Sequence, residues 1–413
     1  MPTRLWRNEF VVNTTQPGNQ DQSAITALAD GGFVIAWRDD GPADSVIRWQ
    51  RYDAQGLKAG PEFNQASFNN PGADQSAPAI TQLANGRLWL AHQDFDTAAD
   101  RDVDGFTVTL DGSVSTLQSA IVTGDNEVDP SIASLGAAGS VAVWVNQTLN
   151  GGDIHMRGFN AAGAITFGAA IGGAVVNDNV AGSQAAAQVA PVVAATKDGS
   201  KFIVAWQDDG LNSGDIRARV FDTGGNALFP EFTVNGATLD AQQAPSVAWL
   251  DNNRFVAVWH AFGQAGDNSS IGIRFAIKAA DGSFISSDNL VNTTTHDTQS
   301  TPMLATLPNG GFVVAWRDAS LAEPDTTAAI RLQAFDTNGN RTGGEILVNT
   351  TTNSDQFEPA IAALADGRVV VSWTDPSTAA GGNGTSIRAQ IVDPRDGLVL
   401  CVNAFDLIKT PLT

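Results

Sequence analysis

Between Asp94 and Gly105 the chain reads DFDTAADRDVDG and carries Asp94, Asp96, Asp100, Asp102 and Asp104. Carboxylates this close repel one another unless some are protonated or a cation gathers them. All these donors are oxygens, so calcium is the expected ion, and Asp94 to Asp104 are its expected ligands. The competing reading is a solvated acidic loop. A second candidate group lies further along, where His260 stands beside Trp259, and Arg274 lacks the aspartate found in sister segments because Ala261 occupies that place. An arginine without its acid, beside a histidine, suits a ligand carboxylate or sulfate. Asp267 or backbone carbonyls are the alternative partners for Arg274. His92 is the third candidate, since it replaces a tryptophan that recurs elsewhere.

The run Asp100, Asp102, Asp104, Gly105 resembles the opening of an EF-hand-type loop, with Asp111 at the twelfth position. Aligned with Asp53 and Asp222, however, Asp111 belongs to a turn, roughly 20 Å beyond Asp104 along a strand. A cage drawing on Asp94 or Asp96 is the better expectation.

These residues hang on a repeat. NGGFVVAWRD (Asn309 to Asp318) returns as DGGFVIAWRD ending at Asp39 and DGSKFIVAWQD ending at Asp208. Looser copies place the anchors at Trp37, His92, Trp144, Trp206, Trp259, Trp316 and Trp373, 52 to 62 residues apart. Each copy has a preceding apolar run (strand A), the anchor strand (B), an Ile-Arg strand (C) such as IRLQAFD, and a closing segment (D) such as EILVN. The segments are short, rich in Val, Ile, Phe and Thr, and bounded by Asp-Gly, Asn-Gly or Gly-Gly pairs. No helical period interrupts them. The expected fold is all-β: a seven-bladed β-propeller with four antiparallel strands per blade. A solenoid or a string of small β domains is the alternative, but one repeat is too small to bury a core.

One domain spans 1–413, with repeats at about 16–66, 74–122, 127–177, 184–235, 241–292, 298–349 and 355–403. Arg7 to Thr15 matches strand D, and so does LVLCVN (Leu398 to Asn403), so the two ends compete for one edge. The N-terminal strand is expected to close the ring by pairing beside strand C of the seventh blade. The A–B turns are tight and the B–C and D–A connections long, so one face of the disc carries the long loops and the expected site.

Two residues after the anchor stand Asp39, Asp94, Asn146, Asp208, Asp318 and Asp375, and strand C supplies Arg48, Arg217, Arg274, Arg331 and Arg388. One structural Asp–Arg pair per blade follows. By the same alignment Thr107 takes the arginine position in the second blade. Asn-x-Thr triplets at Asn13, Asn292 and Asn349 follow strand D at a fixed place, which favours a turn role over glycosylation.

The chain has 44 acidic and 23 basic residues, a net charge of −21, which disfavours nucleic acid and anionic membrane as partners. Lone Cys401 excludes an internal disulfide, and no run approaches membrane-spanning length. GGFVVAW, IRLQAFDTNG and EILVNTTT resemble the propeller-type repeats of large secreted bacterial proteins that often also carry calcium-binding nonapeptide (RTX) tracts. That resemblance implies an extracellular bacterial protein exported by a type I route; no GGxGxD tract is present to extend it to calcium. The only tyrosine, Tyr52, ends a strand on the tight-turn face, and no GxSxG motif occurs, so sialidase-like or serine chemistry lacks its nucleophile. The expected function is a non-catalytic binding or adhesion propeller recognising a glycan or an extracellular protein. The alternative is a polysaccharide-active hydrolase or lyase with acidic and His residues near the axis.

Overall fold

The computed structural model describes residues 5–14, 18–41, 44–65, 74–97, 100–121, 125–147, 152–169, 172–178, 187–210, 214–238, 240–263, 271–321, 327–376 and 384–395, the side chains of 65, 96, 97, 100 and 114–121 excepted. Seven antiparallel sheets follow one another along the chain, each in the order A-B-C-D; the third also pairs Ala174–Val175 with its strand C. A strands of adjacent blades touch one another all the way round and line the axis. No α-helix occurs among the described residues. The fold is the expected seven-bladed β-propeller.

Closure is settled by register. Phe10 lies opposite Ala389 and Val11 opposite Arg388, so the N-terminal strand is the outer strand of the blade formed by Phe357–Ala363, Val369–Asp375 and Ser386–Val392. Residues 398–403, the competing strand, lie outside the described residues. The ring therefore closes with the first strand of the chain on its last blade, where it covers the edge that Ser386–Val392 would otherwise present.

The anchors form the interior. Trp37, Trp144, Trp206, Trp259, Trp316 and Trp373 are fully buried, each facing the preceding blade in a cluster of Val, Ile and Ala from both. Trp89 is core as well. Apolar residues on both faces of strand B explain the unbroken run FVVAW, because each blade is covered on both sides.

Two repeated polar devices knit the ring. The asparagine ending strand D is buried and accepts the N–H of the strand C isoleucine: Asn13 from Ile387, Asn235 from Ile216, Asn292 from Ile273 and Asn349 from Ile330. Three of these are the Asn-x-Thr positions, so their side chains serve the fold and are closed to a glycan. The second device joins blades. Glu62, Glu231, Glu345 and Glu9 accept the backbone N–H of Thr14, Asp178, Thr293 and Thr350 in the preceding blade.

Candidate functional site

In an ordinary blade the anchor heads a relay. Trp37 Nε1 donates to Gln20 Oε1 at 2.9 Å, Gln20 Nε2 donates to Asp39, and Asp39 receives Arg48. The seventh blade repeats it through Trp373, Gln356, Asp375 and Arg388. In the sixth, Arg331 Nε meets Asp318 at 2.7 Å, and Gln299 donates to the same carboxylate. The expected Asp–Arg pair thus exists in blades one, six and seven. It fails in blade four, where Arg217 turns to Glu231 while Asp208 keeps Gln188. The glutamine link is absent from the sequence reading, although a Gln or Glu stands 17 or 18 residues before every anchor.

The second blade breaks the relay at both ends. His92 lies opposite Asp104, the position that holds arginine opposite tryptophan in the first blade. Thr107 faces Trp89 instead, so the expected arginine position is corrected by three residues. The cause is a misread turn: Thr109, whose N–H bonds to Ser113 O, occupies the place of Asp53, whose N–H bonds to Leu57 O. Asp111 sits further round that turn.

Nor is Asp94 to Gly105 an open loop. Strand B runs on to Thr97 and strand C starts at Asp100, so Asp94, Asp102 and Asp104 stand in a hairpin. Alternate residues of a strand lie about 6–7 Å apart and do not wrap an ion as an EF-hand loop does. Asp102 lies opposite Asp94, which puts His92, Asp94, Asp102 and Asp104 on one face of the hairpin. All four are buried. One ligand atom each of His92, Asp94 and Asp104 falls within 4.8 Å of the others. Burial pushes the His92 imidazole down to about 4. The side chains of Asp96 and Asp100 lie outside the described ones.

The fifth blade does not assemble its expected pair. His260 lies opposite Ile273 and Arg274 opposite Trp259, so the two side chains project from opposite faces of the sheet. Arg274 Nη1 donates to the backbone oxygen of Asp288 at 2.7 Å, in line with the backbone-carbonyl alternative. His260 faces Gln243 on strand A, with Nε2 and Oε1 3.2 Å apart. Burial lowers its pKa to about 4, so it is a neutral imidazole at ordinary pH; its Nδ1 has no hydrogen-bond partner among the described residues.

That position belongs to a ring. Every strand A has a register shift near its long-loop end, with a positive-φ residue inside it: Gln22, Ala77, Asp129, Ala190, Ala244, Thr301 and Glu358. The bulges sit on the innermost strands and rim the axis on the long-loop face. The bulges of blades seven, one and two touch in turn, since Glu358 accepts the N–H of Gln22, and Gln22 Oε1 that of Ala77. Beside them stand Arg38, paired through two hydrogen bonds with Asp21, and Arg317, 3.9 Å from exposed Asp355. The residue Asp129 is exposed, but desolvation of its carboxyl by the surrounding protein raises its pKa, against the opposing charge of Arg101. An aspartate of raised pKa, a second carboxylate, a neutral imidazole and two guanidiniums thus stand on the strands that rim one mouth, each on a different blade.

Tyr52 is unavailable as a nucleophile. It is 1% exposed, donates its hydroxyl to Val12 O, and burial raises its pKa. Clefts of about 470 and 520 Å³ open between the tight turns of the opposite face, away from the mouth.

No protein-family model matches the chain, and no curated protein does. Solved structures do match. An ulvan lyase bound to a -[GlcA(1-4)Rha3S]- segment superposes with a TM-score of 0.59 at 10% identity, over 94% of this chain and 96% of that one. An α-L-arabinofuranosidase of Fusarium graminearum gives 0.55 at 11%, over 94% and 98%. A protein of unknown function from Dyadobacter fermentans gives 0.55 at 13%, over 94% and 98%. At these identities the likeness shows the fold. It also overturns the expectation of a non-catalytic adhesion propeller, because two of these three full-length matches are carbohydrate-active enzymes. No helix among the described residues is long and apolar enough to cross a membrane.

Proposed function

We propose that the protein is a polysaccharide-active enzyme, a lyase or hydrolase, working at the axial mouth of its long-loop face. The observation that carries this reading is the placement of Asp129, Glu358, His260 and two arginines on the strands that rim the axis at the bulge ring. Cleavage of a glycosidic bond needs one group to protonate the leaving oxygen and another to take a proton from carbon or water. Asp129, with its raised pKa, suits the first role. Neutral His260 is the candidate for the second; its Nδ1 is buried and has no hydrogen-bond partner among the described residues, so the side chain must turn to meet substrate.

The arginines favour an acidic sugar. Among the described residues the ion-pair partner of Arg317 is an exposed carboxylate at 3.9 Å, so a uronate can replace that partner at little cost. On such a substrate the base removes the proton α to the carboxylate and the adjacent C–O bond breaks. The acid then protonates the departing oxygen, leaving an unsaturated uronate. The purified protein should be incubated with neutral and uronate-containing polysaccharides, following reducing ends and absorbance near 235 nm together. Both signals mean elimination; reducing ends alone mean hydrolysis. Absence of either across the panel, or product release unchanged in His260→Gln, Asp129→Asn and Glu358→Gln, overturns the reading.

A further inference from the structure

The second blade carries a group the axial chemistry does not use. Where the sixth blade holds Trp316, Asp318 and Arg331, the second holds His92, Asp94 and Asp104. The swap from arginine to aspartate changes a neutral ion pair into two neighbouring acids, Asp94 and Asp104, and Asp102 lies opposite Asp94. Neighbouring buried carboxylates repel one another in their charged form, and a cation among them relieves that repulsion.

A second observation is independent of the acids. His92 is 2% exposed, and neither Nδ1 nor Nε2 has a hydrogen-bond partner among the described residues. A buried imidazole normally fixes its tautomer by bonding at least one nitrogen. One of the bare nitrogens lies within 4.8 Å of a carboxylate oxygen of both Asp94 and Asp104. The neighbouring glutamine is altered too. Gln75 occupies the place of Gln20, yet its Nε2 finds no hydrogen-bond partner among the described residues, while its Oε1 accepts Ile47 N of the first blade. The orphaned atoms thus cluster where the relay was rewritten.

We propose that His92, Asp94 and Asp104 form a binding site for a first-row divalent ion of the zinc class, with Asp102 or water as fourth donor. Calcium, the ion expected from the aspartate run, fits poorly, because it takes oxygen ligands, whereas imidazole nitrogen suits zinc and its neighbours. Zinc bonds nitrogen and carboxylate oxygen at about 2.0–2.2 Å, so side-chain rotation must draw the three donors inward from their present spacing. Phe106 packs edge-on against His92, ring centres 5.9 Å apart, and closes the inner side of the site with an apolar wall. The ion would cross-link strands B and C and stabilise the fold, as a ligand of the folded state must. The site faces the first blade and stands apart from the axial mouth, so its fate is separate from the proposed activity.

The test uses the full chain, stripped with chelator and then given zinc, calcium or magnesium. Zinc should be retained at about one ion per chain after dialysis and raise Tm by a few degrees, with calcium and magnesium having little effect. Asp104→Asn, almost unchanged in shape, and His92→Gln should each weaken zinc binding roughly 10–100-fold or more. A cobalt-loaded sample should show visible absorption that His92→Gln alters. The double change His92→Trp, Asp104→Arg writes the sister-blade pattern into this one and should give a folded chain whose Tm ignores zinc. No zinc retained and an unmoved Tm overturns the proposal. So does zinc binding that survives both single changes, and so does a response to calcium alone.

Discussion

Arg388 Nη1 donates to Glu9 Oε1 at 2.7 Å, joining residues 379 positions apart in the chain, while its Nε meets Asp375. The same Glu9 receives the N–H and hydroxyl of both Thr350 and Thr351 in the preceding blade. One carboxylate therefore ties the first strand to the last blade and that blade to its neighbour. Glu9→Ala should lower Tm by several degrees, and deleting residues 1–14 should lower it further and promote association through the bared edge of Ser386–Val392. An unchanged Tm and a clean monomer after the deletion would mean that another segment closes the ring.

Burial alone would raise the Glu9 pKa, but the donors of Thr350 and Thr351 outweigh it and hold the carboxyl below its ordinary 4.5. A depressed folded pKa means the unfolded chain binds more protons. This contribution is complete above about pH 4.5 and fades as pH falls through the folded value. Denaturant midpoints measured from pH 6 down to pH 3 should fall more steeply for the wild type than for Glu9→Gln. Parallel curves would show that Glu9 does not report the folded state.

The repeat was legible because its chemistry is local. An alternating or unbroken apolar run, an Asp-Gly or Asn-Gly turn and a buried tryptophan each announce themselves within ten residues. Closure by Phe10 and Val11 was legible for the same reason, since RNEFVVN has the wording of the other D strands. What stayed hidden depends on register. Asp104 faces His92 only because the turn starts at Thr109, and a turn aspartate two residues later invited the wrong alignment. His260 and Arg274 looked adjacent through their repeat positions, but strand alternation sends them to opposite faces. The bulge ring had no visible signal at all. It arises from a positive-φ residue in each strand A, and five of the seven are not acidic or basic.

Asp318 and Arg331 offer the cleanest pair for a double-mutant cycle. Their side chains are 2% and 10% exposed and 2.7 Å apart. Arg331→Met should cost about 3 kcal/mol, because Asp318 stays buried with Gln299 and the Ser320 N–H as its other partners among the described residues. Adding Asp318→Ala should recover part of that loss. Urea unfolding of the four proteins gives the coupling, and strictly additive effects would mean the pair contributes nothing of its own.

Asn349 tests the strand D device. Its Oδ1 accepts Ile330 N and its Nδ2 donates to Thr351 O, both at 2.8 Å, with the residue 1% exposed. Asn349→Leu strands a buried N–H and a carbonyl and should cost about 2–4 kcal/mol. Thr351→Ala keeps the backbone oxygen that Asn349 uses and removes one of several donors to Glu9, so it should cost less. Equal losses for the two, measured by thermal melting, would place the effect in the threonine and not in the asparagine.

His260 links stability to activity through one proton. Burial lowers its pKa to about 4, below the 6.5 of an unfolded histidine. Between those values the unfolded chain binds the extra proton, so stability rises with pH across the window from about 4 to 6.5 and is level above it. Catalysis runs the same way at its acid limb: a base must be unprotonated, so kcat/KM should fall below about pH 4 and be flat with respect to this group above pH 5. His260→Gln keeps a polar side chain beside Gln243 but cannot take the proton. It should lower kcat by roughly 10²–10⁴-fold, change KM little, and flatten the stability curve between pH 4 and 6.5. A variant that loses the pH dependence of stability but retains full turnover would leave His260 as a structural residue and move the base to Glu358.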